Sequence, residues 1–280
     1  YYCDTDDMPV NRDDRSVIHE YHKGPGSNDL SEFAQFRIGF EVEKTSLNGY
    51  DEEGDEVGEY EMFARFENDS SCGTEAITHI LPLSGVRSKR RKKVFKMMDD
   101  AVDIINGPYT TDCGGHITIS VALTPQLAKR GLFLKPIDLL EKLRGNLAIV
   151  YALYRYRLNN SYCSACKDLK NPASHSGHLV VELKHNIRAL EVRLFNKVMN
   201  VHQLKLRYDL MYILVRRSLD GTNFSTLLNE VEPIMRKMYN NDNAKVANIR
   251  ELANMFRDYL IADVIHDRIE SFINDEDNND

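Results

Sequence analysis

The chain has 280 residues, of which 42% are hydrophobic and 28% charged, so it is long enough to bury one large core or two ordinary ones. Its net charge of −7 argues against general affinity for nucleic acid, and no apolar run approaches the 18 residues that a membrane span needs. Five cysteines, an odd number in a chain this long, fit a reducing compartment better than a disulfide scaffold, and the N-terminus shows no signal-peptide pattern; the expectation is a cytoplasmic protein.

Residues 1–35 are polar, carry Gly24-Pro25-Gly26 and read as an irregular arm. The first strand is predicted over 36–44. Phe36, Ile38, Phe40 and Val42 alternate there with Arg37, Gly39, Glu41 and Glu43, the period of a strand with one apolar face. Glu41 and Glu43 therefore point the same way. Two strand residues span about 6.7 Å, so each carboxylate can hold one of two divalent ions about 4 Å apart. A solvated acidic face is the ordinary alternative for such a strand taken alone.

An acidic loop over 51–56 follows, then a returning strand from Tyr60 to Phe66, a turn, and a short strand in which Glu75 is the only acid. The basic run Arg87 to Lys93 precedes a helix expected over 94–105 and reads as a solvated helix start, with a nucleic-acid patch as the alternative. Asn106-Gly107-Pro108 ends that helix. In 116–121, Ile117, Ile119 and Val121 face one way and His116, Thr118 and Ser120 the other. Pro136 opens a helical pattern that runs to Leu158. The loop 159–177 contains Cys163 and Cys166 ahead of His175 and His178, a spacing that matches no zinc finger known to us. Strand patterns at 178–183 and 189–198 place Glu191 and Arg193 on one polar face. Helices are expected over 201–219, 223–239 and 244–274, before an acidic tail.

These patterns predict an α+β fold. An antiparallel or mixed sheet carries helices on its apolar face, and an open polar concavity collects Glu41, Glu43, Glu75, His116, Glu191 and Arg193. A carboxylate-rich oxygen set with one imidazole suits Mg²⁺ or Mn²⁺, and an arginine beside it suits a phosphate.

Gly39-Phe-Glu41-Val-Glu43, Asn68-Asp69-Ser70-Ser71 with Gly73-Thr-Glu75, Gly115-His116-Ile-Thr118 and Leu190-Glu191-Val-Arg193 occur in that order. Together they resemble the motifs of the amidoligase family, carboxylate–amine ligases of bacteria and phages related to glutamine synthetase and glutamate-cysteine ligase. The resemblance covers roughly residues 36–215. It implies a glutamine-synthetase-like sheet that binds ATP and two or three Mg²⁺ ions, and that joins a small-molecule or peptide carboxylate to an amine through an acyl phosphate. By motif match, Glu41, Glu43, Glu75, His116 and Glu191 are expected metal ligands. Glu43, Glu191 and Arg193 are the expected catalytic groups, Arg193 clamping the transferred phosphoryl group, with Arg155 and Arg157 as weaker candidates for binding substrate carboxylate or phosphate. The family's His-x-His is His116-Ile-Thr118 here, and its Asp-Gly-Ser turn is Asp69-Ser70-Ser71. Both departures leave room for a catalytically lapsed relative that serves as a structural component, for instance of a phage particle. In this reading 36–219 is the catalytic domain, and the helices of 220–280 either pack onto it or mediate self-association. Cys3 and the segment 18–25 resemble the end of a small zinc module that precedes some phage-type members.

Overall fold

The computed structural model describes residues 30–31, 34–47, 60–69, 71–129, 133–160, 163–164, 181–184 and 188–262. The elements run β1 (Phe36–Lys44), β2 (Phe63–Asp69), β3 (Gly73–Thr78), β4 (Leu81–Pro82), α1 (Lys89–Asp100), α2 (Val102–Ile105), β5 (Ile117–Val121), α3 (Pro125–Lys129), α4 (Pro136–Leu143), α5 (Ala148–Leu153), β6 (Asn159–Asn160), β7 (Cys163–Ser164), β8 (Val181–Lys184), β9 (Ala189–Val192), α6 (Val201–Leu219), α7 (Phe224–Met238) and α8 (Asn243–Ala262). Single 3-10 turns follow α4 (Arg144–Leu147) and α5 (Arg155–Leu158). The fold is α+β, as the alternating patterns predict.

Seven strands form one sheet in the order β2-β3-β1-β5-β9-β8, with β4 pairing to the first half of β1; β6 and β7 pair separately. Every pairing in the main sheet is antiparallel. The apolar side chains of β1 join Ile117, Ile119, Leu190 and Val192 in a single core, which continues through Leu139, Tyr151, Tyr208, Met211, Val231, Ile249 and Phe256 of the helices. Helix α4 packs on β5, β8 and β9. Helix α6 reaches the sheet through Tyr208, whose hydroxyl donates to Pro82 O (2.7 Å) and accepts from Ser84 N (2.8 Å), and through Tyr212, packed on Phe36. The main contacts of α7 and α8 are with α5, α6 and each other, so these helices form an outer layer on the helical side.

Two predicted helices differ in their bounds. The first begins at Lys89, because Ser88 caps it by accepting from Arg90 N, and it breaks at Ala101; most of the basic run is therefore the helix's own first turns. The pattern 137–158 is two short helices joined by the 3-10 turn at Gly145. A Cβ there would lie 3.3 Å from Ile261 of α8, so the bare backbone admits the outer layer. The last helix is described as far as Ala262. The acidic loop, most of the N-terminal arm with Cys3, the residues Cys166, His175 and His178, and the acidic tail lie outside the described residues.

Candidate metal and phosphate site

The register of the central strands brings the polar side chains into rows, because cross-strand partners share a face. Glu43 of β1 stands opposite Glu75 of β3. Glu41 N donates to His116 O (3.0 Å) just before β5 begins, and Thr118 of β5 pairs with Glu191 of β9. Arg193 follows directly after β9 and donates from Nη1 to Glu191 Oε1 at 2.8 Å. All six residues expected on this face are thus on one side of the sheet.

They form two touching clusters. Ligand atoms of Glu41, His116 and Glu191 all lie within 4.8 Å of one another, and so do those of Glu43, Glu75 and His116. The imidazole stands between them. Its Nδ1 is hydrogen-bonded to Glu41 Oε2 and lies 3.4 Å from Glu191 Oε1, while Nε2 lies 3.6 Å from Glu43 Oε1. Each ring nitrogen therefore serves one cluster. Burial lowers the pKa of His116, but the charge and hydrogen bond of Glu41, aided by Glu191, outweigh burial and the opposing Arg193, and the net shift is upward. The carboxylates around it thus favour the protonated ring over burial's opposing effect.

The expected open concavity is instead a closed one. Glu191 is 1% exposed, Glu43 5%, and Glu41 and His116 7% each. Carboxylates this buried need partners, and cations supply them. Lys184 Nζ of β8 lies 2.5 Å from Glu191 Oε2, as an ion pair without hydrogen-bond alignment. Gly114 N donates to Glu43 Oε2. Arg157, buried, donates from Nη1 to Cys113 O (3.3 Å), and its Nη2 lies 2.9 Å from where a Cβ on Gly114 would stand, with Glu43 Oε1 3.1 Å from the same point. The bare backbone at 114 lets Arg157 and Glu43 approach this closely, and a side chain there would push their ends aside. Arg155, on the same turn, is half-buried, and no described contact joins it to the clusters.

The β2–β3 turn ends at Gly73, whose φ of +120° and close backing on Thr45 O, 2.4 Å from an added Cβ, explain why this position carries no side chain. Glu75 is thereby set opposite Glu43. On the other flank, Arg207 of α6, 1% exposed, donates to Asn196 O (2.6 Å) and Lys197 O (2.9 Å) and lies over the Tyr154 and Phe195 rings, fixing the chain just beyond Arg193. Lys44 is also fully buried. Its ammonium donates to Val198 O (2.6 Å) and Gly107 O (3.0 Å), and burial lowers its pKa to about 8.

Sequence reasoning missed Lys184, Arg207 and Gly114. The first was within reach: the predicted strand stopped at Leu183, one residue short of the position that shares a face with Glu191. The other two carried no local signal, because their roles come from packing between distant segments.

Thr118 matters for what the site can hold. It is 1% exposed, and its hydroxyl has no hydrogen-bond partner among the described residues, in the row that Glu191 occupies. A buried hydroxyl so placed has room to bond a water, an ion or a ligand. Carboxylate oxygens, one imidazole and an unpartnered hydroxyl form a donor set suited to Mg²⁺ or Mn²⁺ with a phosphate. The basic run of α1, by contrast, is partly consumed within the fold: Arg91 is bidentate to Asp209 (2.6 and 2.7 Å), Lys93 pairs with Glu61 (3.4 Å), and Arg90 is buried. No helix among the described residues is long and apolar enough to cross a membrane. No protein-family model and no curated protein matches this chain.

Proposed function

We propose that the chain is an ATP-dependent carboxylate–amine ligase of glutamine-synthetase-like type that forms an amide bond through an acyl phosphate. One observation carries this reading: His116 stands between two adjacent carboxylate clusters, in which Glu41, Glu43 and Glu191 are buried and Glu75 half-buried, one ring nitrogen facing each, with Arg193 beside Glu191. Glu41, Glu191 and one nitrogen of the neutral His116 ring would hold one Mg²⁺ or Mn²⁺ ion, and Glu43 and Glu75 another, with the ring's remaining N–H turned towards Glu43. Ions bound there supply charge neutralisation and alignment for the nucleotide phosphates.

The protein's own groups do the rest. Glu43 is fixed by Gly114 N and Glu191 by Arg193, so the anionic ligands are oriented before anything binds. Arg193 presents a planar guanidinium whose donors fit two oxygens of a transferring phosphoryl group. Burial keeps water from the site, which protects an acyl phosphate from hydrolysis until an amine attacks its carbonyl carbon and expels phosphate. No covalent nucleophile is needed. The bound carboxylate attacks the γ-phosphorus of ATP, and ADP leaves. Arg157 at the Glu43 end is positioned to attract the carboxylate substrate.

The test is trapping. Incubating the protein with ATP, Mg²⁺, hydroxylamine and a panel of amino-acid and peptide carboxylates is expected to yield a hydroxamate from at least one carboxylate, and Arg193→Met to abolish it. Mg²⁺-dependent ATP binding with no hydroxamate from any carboxylate would refute the acyl phosphate for that panel. The ion pairing favours a second reading, a catalytically lapsed relative: Glu191 is already paired with Arg193 and Lys184, and Glu41 with His116, without ions. A chain that binds neither Mg²⁺ nor ATP fits that second reading.

A further inference from the structure

We infer that Lys184 is an exchangeable counter-ion, which neutralises Glu191 in the ion-free protein and turns to a phosphate oxygen of the nucleotide once a divalent cation takes that carboxylate. The inference rests on the function proposed above and adds a residue that the family motifs do not supply. Three observations carry it. Glu191, 1% exposed, is neutralised twice, by Arg193 on Oε1 (2.8 Å) and by Lys184 on Oε2 (2.5 Å). A divalent cation bound through Oε2 competes with Lys184 for that oxygen, while Oε1 can keep Arg193.

Lys184 is the partner able to move. It sits at the end of β8, the terminal strand of the sheet path, and its side chain is 29% exposed against 14% for Arg193. Its contact with Oε2 is an ion pair without hydrogen-bond alignment. An ammonium on a four-carbon stem has three rotatable donors, which a guanidinium fork lacks, so it can follow a phosphate as the site fills. The third observation is the destination. Thr118 Oγ1, buried and without a hydrogen-bond partner among the described residues, stands opposite Glu191 in the same row, which Gly39 continues without a side chain. A phosphate oxygen there satisfies the hydroxyl and the displaced ammonium together.

The experiment is titration calorimetry of the full chain and of Lys184→Met and Lys184→Gln, first with Mg²⁺ alone and then with a non-hydrolysable ATP analogue at saturating Mg²⁺. Removing a competitor for Glu191 is expected to tighten Mg²⁺ alone about threefold or more, while losing a phosphate donor weakens the nucleotide about tenfold. A purely structural ion pair cannot produce this opposite movement. If the parent binds and the variants match it, or move both affinities in the same direction, the inference is overturned and the proposed function stands. If the parent shows no Mg²⁺-dependent nucleotide binding, the proposed function fails and the inference with it.

Discussion

Thr118→Val separates a residue kept for a ligand from one kept for the fold. The hydroxyl is buried and has no hydrogen-bond partner among the described residues. Leaving such a group unmade costs about 1–3 kcal/mol, and valine keeps the branched shape that the strand favours. The ligand-free variant should therefore be as stable as the parent or up to about 1 kcal/mol more stable, a rise of roughly 2–4 °C in melting temperature for a chain of this size. With Mg²⁺ and ATP the order should reverse, because the variant gains less from the ligand. Differential scanning fluorimetry with and without ligand reads both halves. A ligand-free variant destabilised by more than about 1 kcal/mol would show that the hydroxyl has a structural partner and refute the reasoning.

Four further outcomes follow from the same geometry. Gly114→Ala places a methyl 2.9 Å from Arg157 and 3.1 Å from Glu43, so Mg²⁺ affinity should fall at least tenfold while the melting temperature drops only modestly; titration calorimetry checks it. Arg207→Met strips a buried carbonyl, Asn196 O, and a part-buried one, Lys197 O, of their donor and should cost about 2–6 kcal/mol in urea unfolding, since each unmet group costs about 1–3. Burial lowers Lys44 in the folded chain to about 8 from 10.5, so the unfolded chain holds more protons between those values and stability should rise with pH across that window. Lys44→Met should flatten that rise in urea titrations run from pH 7.5 to 10.5. Replacing Lys92 and Lys93 with glutamine should leave DNA and RNA retention on a filter unchanged at low salt, because Arg90 is buried, Arg91 and Lys93 are paired, and the chain's net charge of −7 opposes nucleic acid.

The sheet and the site were legible in the sequence wherever a two-residue period survives. The alternation in 36–44 and 116–121 fixed the face on which Glu41, Glu43, His116 and Thr118 stand, and the register then brought Glu75 and Glu191 beside them. Burial was not legible. Alternation distinguishes two faces but not what covers the polar one, so a closed site with its own counter-ions was expected to be open. Helix bounds failed where a local break outweighs periodicity, at Ala101 and Gly145. Arg207 and Lys44 look in sequence like ordinary basic residues; only the carbonyls that converge on them from segments near Val198 and Gly107 give them their roles.

The most direct test of the central claim is the thermal shift of the parent chain with ATP, with and without Mg²⁺, beside Glu43→Gln and Glu191→Ala. Stabilisation that requires both ATP and Mg²⁺ and is lost in both variants is the predicted result. A parent that shows no shift, or variants that keep it in full, would contradict the assignment of these carboxylates to a metal–nucleotide site.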